Sequence, residues 1–266
     1  AVSGLLSNFG LVGLIMYFPI FLQGVQGISV MRSGQIITPY SVLMAFVGVP
    51  TGFILARTKR YKWMYIAGYG LLTAVMFGLM FFNAATPVFL SVLVVTLAGL
   101  GLGSIPTVNT LVAQWAVPRR LLGAAMGAIF FSIMMGMAIS PAVLGSVMNS
   151  SYNASLQSSL PAGLHQFADK ATVTALGDPK ALLSPTAMKA LEETFRRAGD
   201  DGPVLLSQTV EAIRSSIMAG LKSIFLLGAV TMLVAFLLVL TVPEISMDAV
   251  VEDKRAPRPA TAEEAA

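Results

Sequence analysis

Long apolar stretches without acidic residues dominate the first two thirds of this chain. Residues 1–168 contain seven Lys or Arg and no Asp or Glu, whereas residues 169–266 contain ten Lys or Arg and all 13 acidic residues. A soluble domain carries about 25% charged residues, and this chain carries 11%. The first two thirds therefore cannot form a water-solvated fold, and we expect an all-α integral membrane protein.

Six apolar runs approach the length of about 18–20 residues that a helix needs to cross a bilayer. Pro and Gly are frequent inside them, which a membrane tolerates because neighbouring helices satisfy the freed backbone groups. We therefore predict six kinked, closely packed transmembrane helices, which we call a to f. They cover residues 5–22, 36–55, 63–82, 88–108, 121–148 and 224–242.

Basic residues cluster in the short loops on one side of these helices, which the positive-inside rule assigns to the cytoplasm. This topology predicts helices a to e over residues 1–148, an extracytoplasmic loop with short helices over 149–222, helix f over 223–243, and a disordered cytoplasmic tail over 244–266. The basic clusters lie between b and c, between d and e, and after f: Arg57, Lys59, Arg60 and Lys62, then Arg119 and Arg120, then Lys254, Arg255 and Arg258.

The long outer loop carries helix signals of its own. Ser184 followed by Pro185 is typical of an N-cap and a first helical position, and Gly199 is typical of a helix end. Pro203 marks the start of a second helix that leads toward helix f. We expect two short outer helices.

The predicted helices lack the side chains that catalysis or metal binding inside a membrane would need. The chain has no Cys, and helices a to f contain no His, Asp or Glu. The single His165 falls in the outer loop, where no cluster of metal-ligating residues surrounds it. We therefore expect no enzymatic activity, no cofactor and no metal site.

The segment between helices b and c carries a recognisable motif. Gly52 is followed by Ile54, Arg57 and the further basic residue Arg60, an arrangement that resembles the cytoplasmic loop signature of the major facilitator superfamily in its degenerate second-half copy. Ala56 departs from that signature, which often has Asp there. Further similarities include Tyr17-Phe-Pro19-Ile-Phe-Leu-Gln23, Gly99-Leu-Gly101-Leu-Gly103, Pro106, Gln114, and the long outer loop before the last helix.

Together these features resemble the final six helices of the fourteen-helix drug:proton antiporter branch. The resemblance implies one half of a major facilitator fold, built from 3+3 inverted repeats, with helices a and d lining the substrate cavity. A further departure is Ile133, where the branch leads us to expect Arg. The implied substrate-binding residues are Asn8, Phe18, Thr96, Ser104 and Asn109.

Each of these assignments has an alternative reading. Polar side chains inside apolar runs also form ordinary hydrogen bonds between helices. Gly52 would permit close helix approach and Arg57 would pair with helix C-termini or with a carboxylate of the partner half, but the basic residues from Arg57 to Lys62 also act as topological charges near anionic lipid.

The resemblance implies the C-terminal half of a proton-driven efflux transporter for drugs or amphiphilic compounds that works by alternating access. The alternatives are a half-size carrier that acts as a dimer, an intramembrane enzyme, and a non-transporting membrane scaffold. The expected location is the cell (inner) membrane, as a multi-pass protein. The expected partners are the lipid bilayer, the missing N-terminal half, a small-molecule substrate and protons; a periplasmic adaptor protein is a further candidate, and nucleic acid is not expected.

Overall fold

A computed structural model describes residues 2–58, 60–160 and 202–242, together with a few isolated positions between 177 and 196. The described segments consist of helices and short connections, and they contain no strand. This confirms the predicted all-α membrane class. Of the expected outer helix after Ser184, isolated positions are described and are helical, namely Lys189, Glu192, Glu193, Phe195 and Arg196. The cytoplasmic tail, His165 and Lys59 lie outside the described residues.

The described segments form six helices, and five of them are long and apolar enough to cross a membrane. The exception is α3, which has 18 residues and begins at a charged Lys62, so that its apolar length is shorter than predicted for helix c. A 3₁₀ turn over Arg119–Leu121 leads into α5. The helices are α1 Val2–Val25, α2 Val30–Thr58, α3 Lys62–Leu79, α4 Val88–Ala116, α5 Leu122–Ser159 and α6 Gly202–Leu240.

Helix α1 is widened at two places by π-helical turns. These turns span Gly13–Tyr17 and Phe21–Val25 and flank the short α-helical segment that contains Pro19. Proline has no N–H to donate and its ring crowds the preceding turn, so a wider turn relieves the clash inside the helix. A break at Val47 likewise divides α2 into two α-helical segments.

Helix α6 organises the packing of the bundle. It lies against α1, α3 and α5, while α4 packs on α2 and α3 and α1 packs on α5. The core contains fully buried side chains from several helices, among them Phe21, Leu72, Met76 and Ile224. By contrast, only 17% of the most apolar stretch of α2 and 6% of that of α5 is buried. These two helices therefore leave broad apolar faces open.

Helices α2 and α4 approach each other closely along two glycines. A Cβ atom at Gly99 would lie 2.7 Å from the carbonyl oxygen of Tyr40, and one at Gly103 would lie 2.9 Å from that of Met44. Contacts this short do not occur for real side chains, so only glycine fits at both positions. The four-residue spacing places both glycines on one face of α4, as in other close membrane helix pairs.

The close approach that the sequence suggested at Gly52 lies one turn earlier in the structure. A Cβ atom at Gly52 would meet Thr107 Cγ2 at 3.7 Å, an ordinary van der Waals contact, whereas one at Gly48 would lie 2.9 Å from Thr107 Oγ1. The seam between α2 and α4 therefore depends on Gly48, Gly99 and Gly103.

The two ends of the bundle differ. We call the end that carries Arg57, Arg60, Lys62, Arg119 and Arg120 the basic end. Beyond the other end, α5 and α6 continue as one antiparallel pair, because α5 has 38 residues and α6 has 39. At 1.5 Å per residue each helix is about 57 Å long, nearly twice the hydrocarbon thickness of about 30 Å.

We call this projecting pair, residues 149–159 of α5 and 202–222 of α6, the outer extension. It is packed along its length, since Tyr152, Leu156, Thr209 and Ile213 are all buried. Helix α5 thus runs past the boundary expected at residue 148, and the helix predicted to start near Pro203 is continuous with the last membrane helix.

Replacement of Gly99 or Gly103 by Ala should destabilise the bundle. The added methyl group would force α2 and α4 apart, and overpacking of this kind lowers the free energy of unfolding by about 1–3 kcal/mol. Thermal unfolding of the detergent-solubilised protein measures the effect. Gly52→Ala is the matched control and should unfold as the unaltered protein does; equal losses at all three positions would contradict the assigned seam.

The orientation of the bundle can be tested with single cysteines, because this chain has none. Gln157→Cys, at an exposed position of the outer extension, should react with an impermeant thiol reagent added to intact cells. Arg120→Cys at the basic end should react only after the membrane is permeabilised, since basic loops stay in the cytoplasm. The reverse labelling pattern would show that the basic end lies outside the cell.

Candidate functional site

A cavity of about 200 Å³ lies inside the bundle near its basic end. Five helices contribute to its wall, and no charged residue lines it. Most of the wall is aliphatic, and the polar groups come from α1, α3 and α4. The lining residues are Ser3, Gly4, Tyr65, Asn109, Val112, Ala113, Ile129, Val239 and Val242.

Tyr65 and Asn109 form the polar centre of this cavity. The Tyr65 hydroxyl donates a 2.7 Å hydrogen bond to Asn109 Oδ1 and thereby joins α3 to α4. The Tyr65 ring is fixed by its neighbours on α3, since its centroid lies 6.1 Å from those of both Tyr61 and Tyr69. With Oδ1 used as an acceptor, the Asn109 amide nitrogen is the group that can donate.

Tyr69 is the most buried member of this tyrosine row. Its side chain is completely buried, and its hydroxyl forms no hydrogen bond that meets both distance and angle requirements. The side chains of Ser3, Asn109 and Ser7 lie close enough to interact with this hydroxyl. Two of these, Ser3 and Asn109, line the cavity, so an unpartnered donor lies directly behind the cavity wall.

Asn8 serves helix packing in the structure. Its amide nitrogen donates to the carbonyl oxygens of Gly4, at 2.9 Å, and of Ile133 on α5, at 3.3 Å. A Cβ atom at Gly136 would lie 2.7 Å from this nitrogen, which shows how tightly α5 covers it. Asn8 therefore joins α1 to α5 and is buried.

The other three sequence-predicted substrate contacts lie elsewhere. Phe18 is buried and stacks on Phe21, with ring centroids 5.7 Å apart. Thr96 donates to the backbone of its own helix, at Val92 O. Ser104 bonds to Gly101 O and lines a separate shallow groove between α3 and α4, which also contains half-exposed Trp63.

Of the five predicted residues, Asn109 is the one that reaches the cavity. Thr96 and Asn109 are 13 positions apart on α4, a separation of about 20 Å along the helix, so the five side chains cannot surround one small molecule within this bundle. Sequence reasoning missed Tyr65 and Tyr69. Their four-residue spacing after Tyr61 is a signal for one helix face, and it was available in the sequence.

The loop motif residues lie at the basic end. Arg57 occupies the last turn of α2, where a positive charge interacts favourably with the helix dipole. Arg57 and Arg60 are both exposed. Within α1 to α6 the acidic residue is Glu211, which belongs to the outer extension, so these six helices offer no carboxylate to Arg57 at this end.

The described residues include no group of three His, Cys, Asp or Glu side chains that could hold a metal ion. The polar chemistry of the bundle rests on hydroxyl and amide groups, which bind by hydrogen bonding and do not exchange protons readily near neutral pH. Within the described helices the arrangement is suited to holding a molecule.

A family model described as the Major Facilitator Superfamily matches residues 1–141, more than half of the chain. The chain therefore belongs to this superfamily of multi-pass membrane transporters, which confirms the family predicted from the loop motif. Membership in a transporter family accounts for the apolar helices and the basic loops together.

Several curated proteins are similar to a part of the chain. Over 119 residues it is 31% identical to the tetracycline resistance determinant of Streptomyces rimosus, covering 45% of this chain and 34% of that protein. An MFS-type efflux transporter of Pyricularia grisea is 30% identical over 119 residues, which are 44% of this chain and 20% of that protein. An uncharacterized MFS-type transporter of Mycobacterium tuberculosis is 28% identical over 124 residues, 47% of this chain and 18% of that protein.

The matched stretch thus covers about a third or less of each of these relatives. No solved structure matches the chain.

Asn8→Ala should reduce stability and leave substrate affinity unchanged, because the Asn8 amide nitrogen is already used in hydrogen bonds within α1 and to α5. The loss of an interhelical hydrogen bond costs about 0.6 kcal/mol on average, and the space left behind adds to it. Thermal unfolding and substrate affinity of the full-length protein separate the two roles. Ser132→Ala, which removes a bond within α5, is the control; weaker binding with unchanged unfolding would make Asn8 a substrate contact.

Proposed function

We propose that this chain is the C-terminal half of a secondary transporter that exports drugs or amphiphilic compounds in exchange for protons, by alternating access. The main support is family membership combined with similarity to a tetracycline resistance determinant and to an MFS-type efflux transporter. The branch assigned to it is the fourteen-helix drug:proton antiporters. Its proposed location is the cell (inner) membrane.

The open faces of α2 and α5 support a missing partner half. Large apolar side chains point outward there, including Phe46 and Phe53 on α2 and Phe130, Phe131 and Met134 on α5. Along α5 they alternate with small residues such as Gly123 and Gly127, beside which a Cβ atom would meet nothing within 4 Å. A partner helix can approach such a surface closely.

We assign part of the wall of the main substrate cavity to these faces of α2 and α5, beside α1 and α4, which the family resemblance places at the cavity, opposite the N-terminal half. Rocking of the two halves would open this space alternately to the two sides of the membrane. The Met side chains of α5 adapt to ligands of different shape, which suits a transporter of varied apolar compounds. Asn8, Phe18, Thr96 and Ser104 would contribute to this half chiefly by packing.

Proton coupling is assigned to the partner half. A proton-driven carrier needs a group that exchanges a proton within the membrane, and Asp, Glu and His are the usual choices. The described membrane spans hold none of these, since Glu211 lies in the outer extension. A carboxylate of the N-terminal half would then carry the proton, and this half would supply cavity wall and gate.

Transport by the full-length protein tests the proposal. Proteoliposomes with an acidic interior should accumulate tetracycline or tetraphenylphosphonium, because outward proton flow would drive uptake of the compound. A protonophore should abolish accumulation, and protein-free liposomes correct for passive partitioning. Failure of the pH gradient to drive either compound would contradict a drug:proton antiporter and favour a scaffold.

The proposed cavity wall predicts a difference in thiol accessibility. Met134 on α5 and Val230 on α6 are both exposed in this bundle. In the full-length protein Met134→Cys should react with a water-soluble maleimide and be protected by substrate, because it would face the hydrated cavity. Val230→Cys should stay unreactive, because a thiol in lipid is not ionised. Equal maleimide reactivity of Met134→Cys and Val230→Cys would show that α5 does not line the cavity. Disulfide-linked dimers of Met134→Cys would favour the half-size carrier.

A further inference from the structure

We infer that the cavity near the basic end is a separate binding site for small uncharged aromatic compounds that carry a carbonyl oxygen. It is formed within this half of the protein by α1, α3, α4, α5 and α6. The open faces of α2 and α5, to which the main cavity is assigned, do not enclose it. Three observations define the ligand: the hydrogen-bond donors at the wall, the absence of charge and the size of the cavity.

The polar groups of the site include donors that a ligand oxygen could use. Asn109 Oδ1 accepts from the Tyr65 hydroxyl, and the Asn109 amide nitrogen is a donor at the cavity wall. The Tyr69 hydroxyl is a second donor, fully buried and without a hydrogen-bond partner. A buried polar group without a partner costs about 1–3 kcal/mol. A ligand oxygen beside Asn109 would accept from its amide nitrogen, and a shift of the Ser3 or Asn109 side chain would let the Tyr69 hydroxyl behind them donate to the same oxygen and offset that cost.

Charge excludes ionic ligands from this cavity. None of its lining residues is acidic, so a cation would be desolvated without a counter-charge. None is basic either, so an anion would face the same penalty. The basic residues at the nearby end of the bundle, Arg60, Lys62 and Arg119, further disfavour cations by their positive potential. The lining of this cavity therefore favours an uncharged ligand.

The size of the cavity limits the ligand to about one aromatic ring. A dry apolar cavity of about 150 Å³ in another protein binds benzene, and the present cavity measures about 200 Å³. A benzene ring with a short carbonyl substituent therefore fits, and a fused polycyclic drug does not. The ring would contact Val112, Ala113, Ile129 and Val239, while the carbonyl would face Asn109.

A role for this site in export would rest on the proposed function, but binding itself does not. Binding can be measured without any gradient, so that failure of the site and failure of the transport proposal are distinguishable. The experiment uses the full-length protein in lipid nanodiscs and acetophenone as the probe.

Irradiated acetophenone abstracts a hydrogen atom from a nearby C–H bond, and the two radicals combine to a stable adduct that peptide mass spectrometry can locate. Adducts are expected on Val112, Ala113 or Val239. Propiophenone should compete with the labelling, whereas butylbenzene and trimethylphenylammonium, with the same number of heavy atoms but without the carbonyl, should compete at least tenfold less well.

Tyr69→Phe removes the unpartnered hydroxyl and keeps the ring, and it should weaken competition by propiophenone about tenfold, the loss expected for one hydrogen bond. Tyr40→Phe is the matched control: the Tyr40 hydroxyl is also buried and unpartnered, but it lies on α2 away from the cavity. It should leave competition unchanged. Ala113→Phe should abolish labelling by filling the space.

Three outcomes would overturn the inference. Adducts confined to lipid-facing side chains such as Phe89 would mean that the probe dissolves in the bilayer only. Equal competition by propiophenone and butylbenzene would mean that the donors do not select the ligand. Unchanged competition in Tyr69→Phe would mean that the buried hydroxyl is satisfied by water and takes no part in binding.

Discussion

The structure depends on the need to satisfy every polar group without water. In a bilayer, backbone groups must be paired within helices, and association between helices comes from close packing and hydrogen bonds, since lipid tails are as apolar as the side chains. The glycines between α2 and α4 provide the close packing. The Asn8 and Tyr65 hydrogen bonds provide the polar contacts, because each joins two helices across the bundle. The remaining serines and threonines mostly bond to their own helix.

Against this background, Tyr69 and Tyr40 stand out because their hydroxyls remain unpaired in the interior. Both positions could be filled by Phe without loss of packing volume. The Tyr69 hydroxyl lies behind the wall of the cavity near the basic end, whereas Tyr40 does not contribute to that cavity. A buried, unpaired tyrosine hydroxyl therefore indicates a binding site only where other polar groups and a cavity lie beside it.

The fold was largely predictable from the sequence, because span length, absence of acids and positive loops each follow from the physics of the bilayer. The residues of the candidate site were much less predictable from the sequence. Hydropathy identifies Asn8 and Asn109 as polar residues in apolar helices, but both look alike in sequence, and only the packing shows that one joins α1 to α5 and the other lines a cavity. The displacement of the close approach from Gly52 to Gly48 has the same cause: the rotation of α2 about its axis relative to α4 is a tertiary property.

The length of α5 and α6 has a mechanical consequence. Residues 149–159 and 202–222 extend two membrane helices as one packed pair without a hinge between span and projection. The paired part of this projection is about 17 Å long, from residues 149–159 of α5 at 1.5 Å per residue, and it enlarges at its tip any tilt of the membrane spans. A small change in helix angle inside the bilayer therefore becomes a displacement of several ångströms at the tip, where a soluble protein or an external ligand could sense the state of the membrane domain.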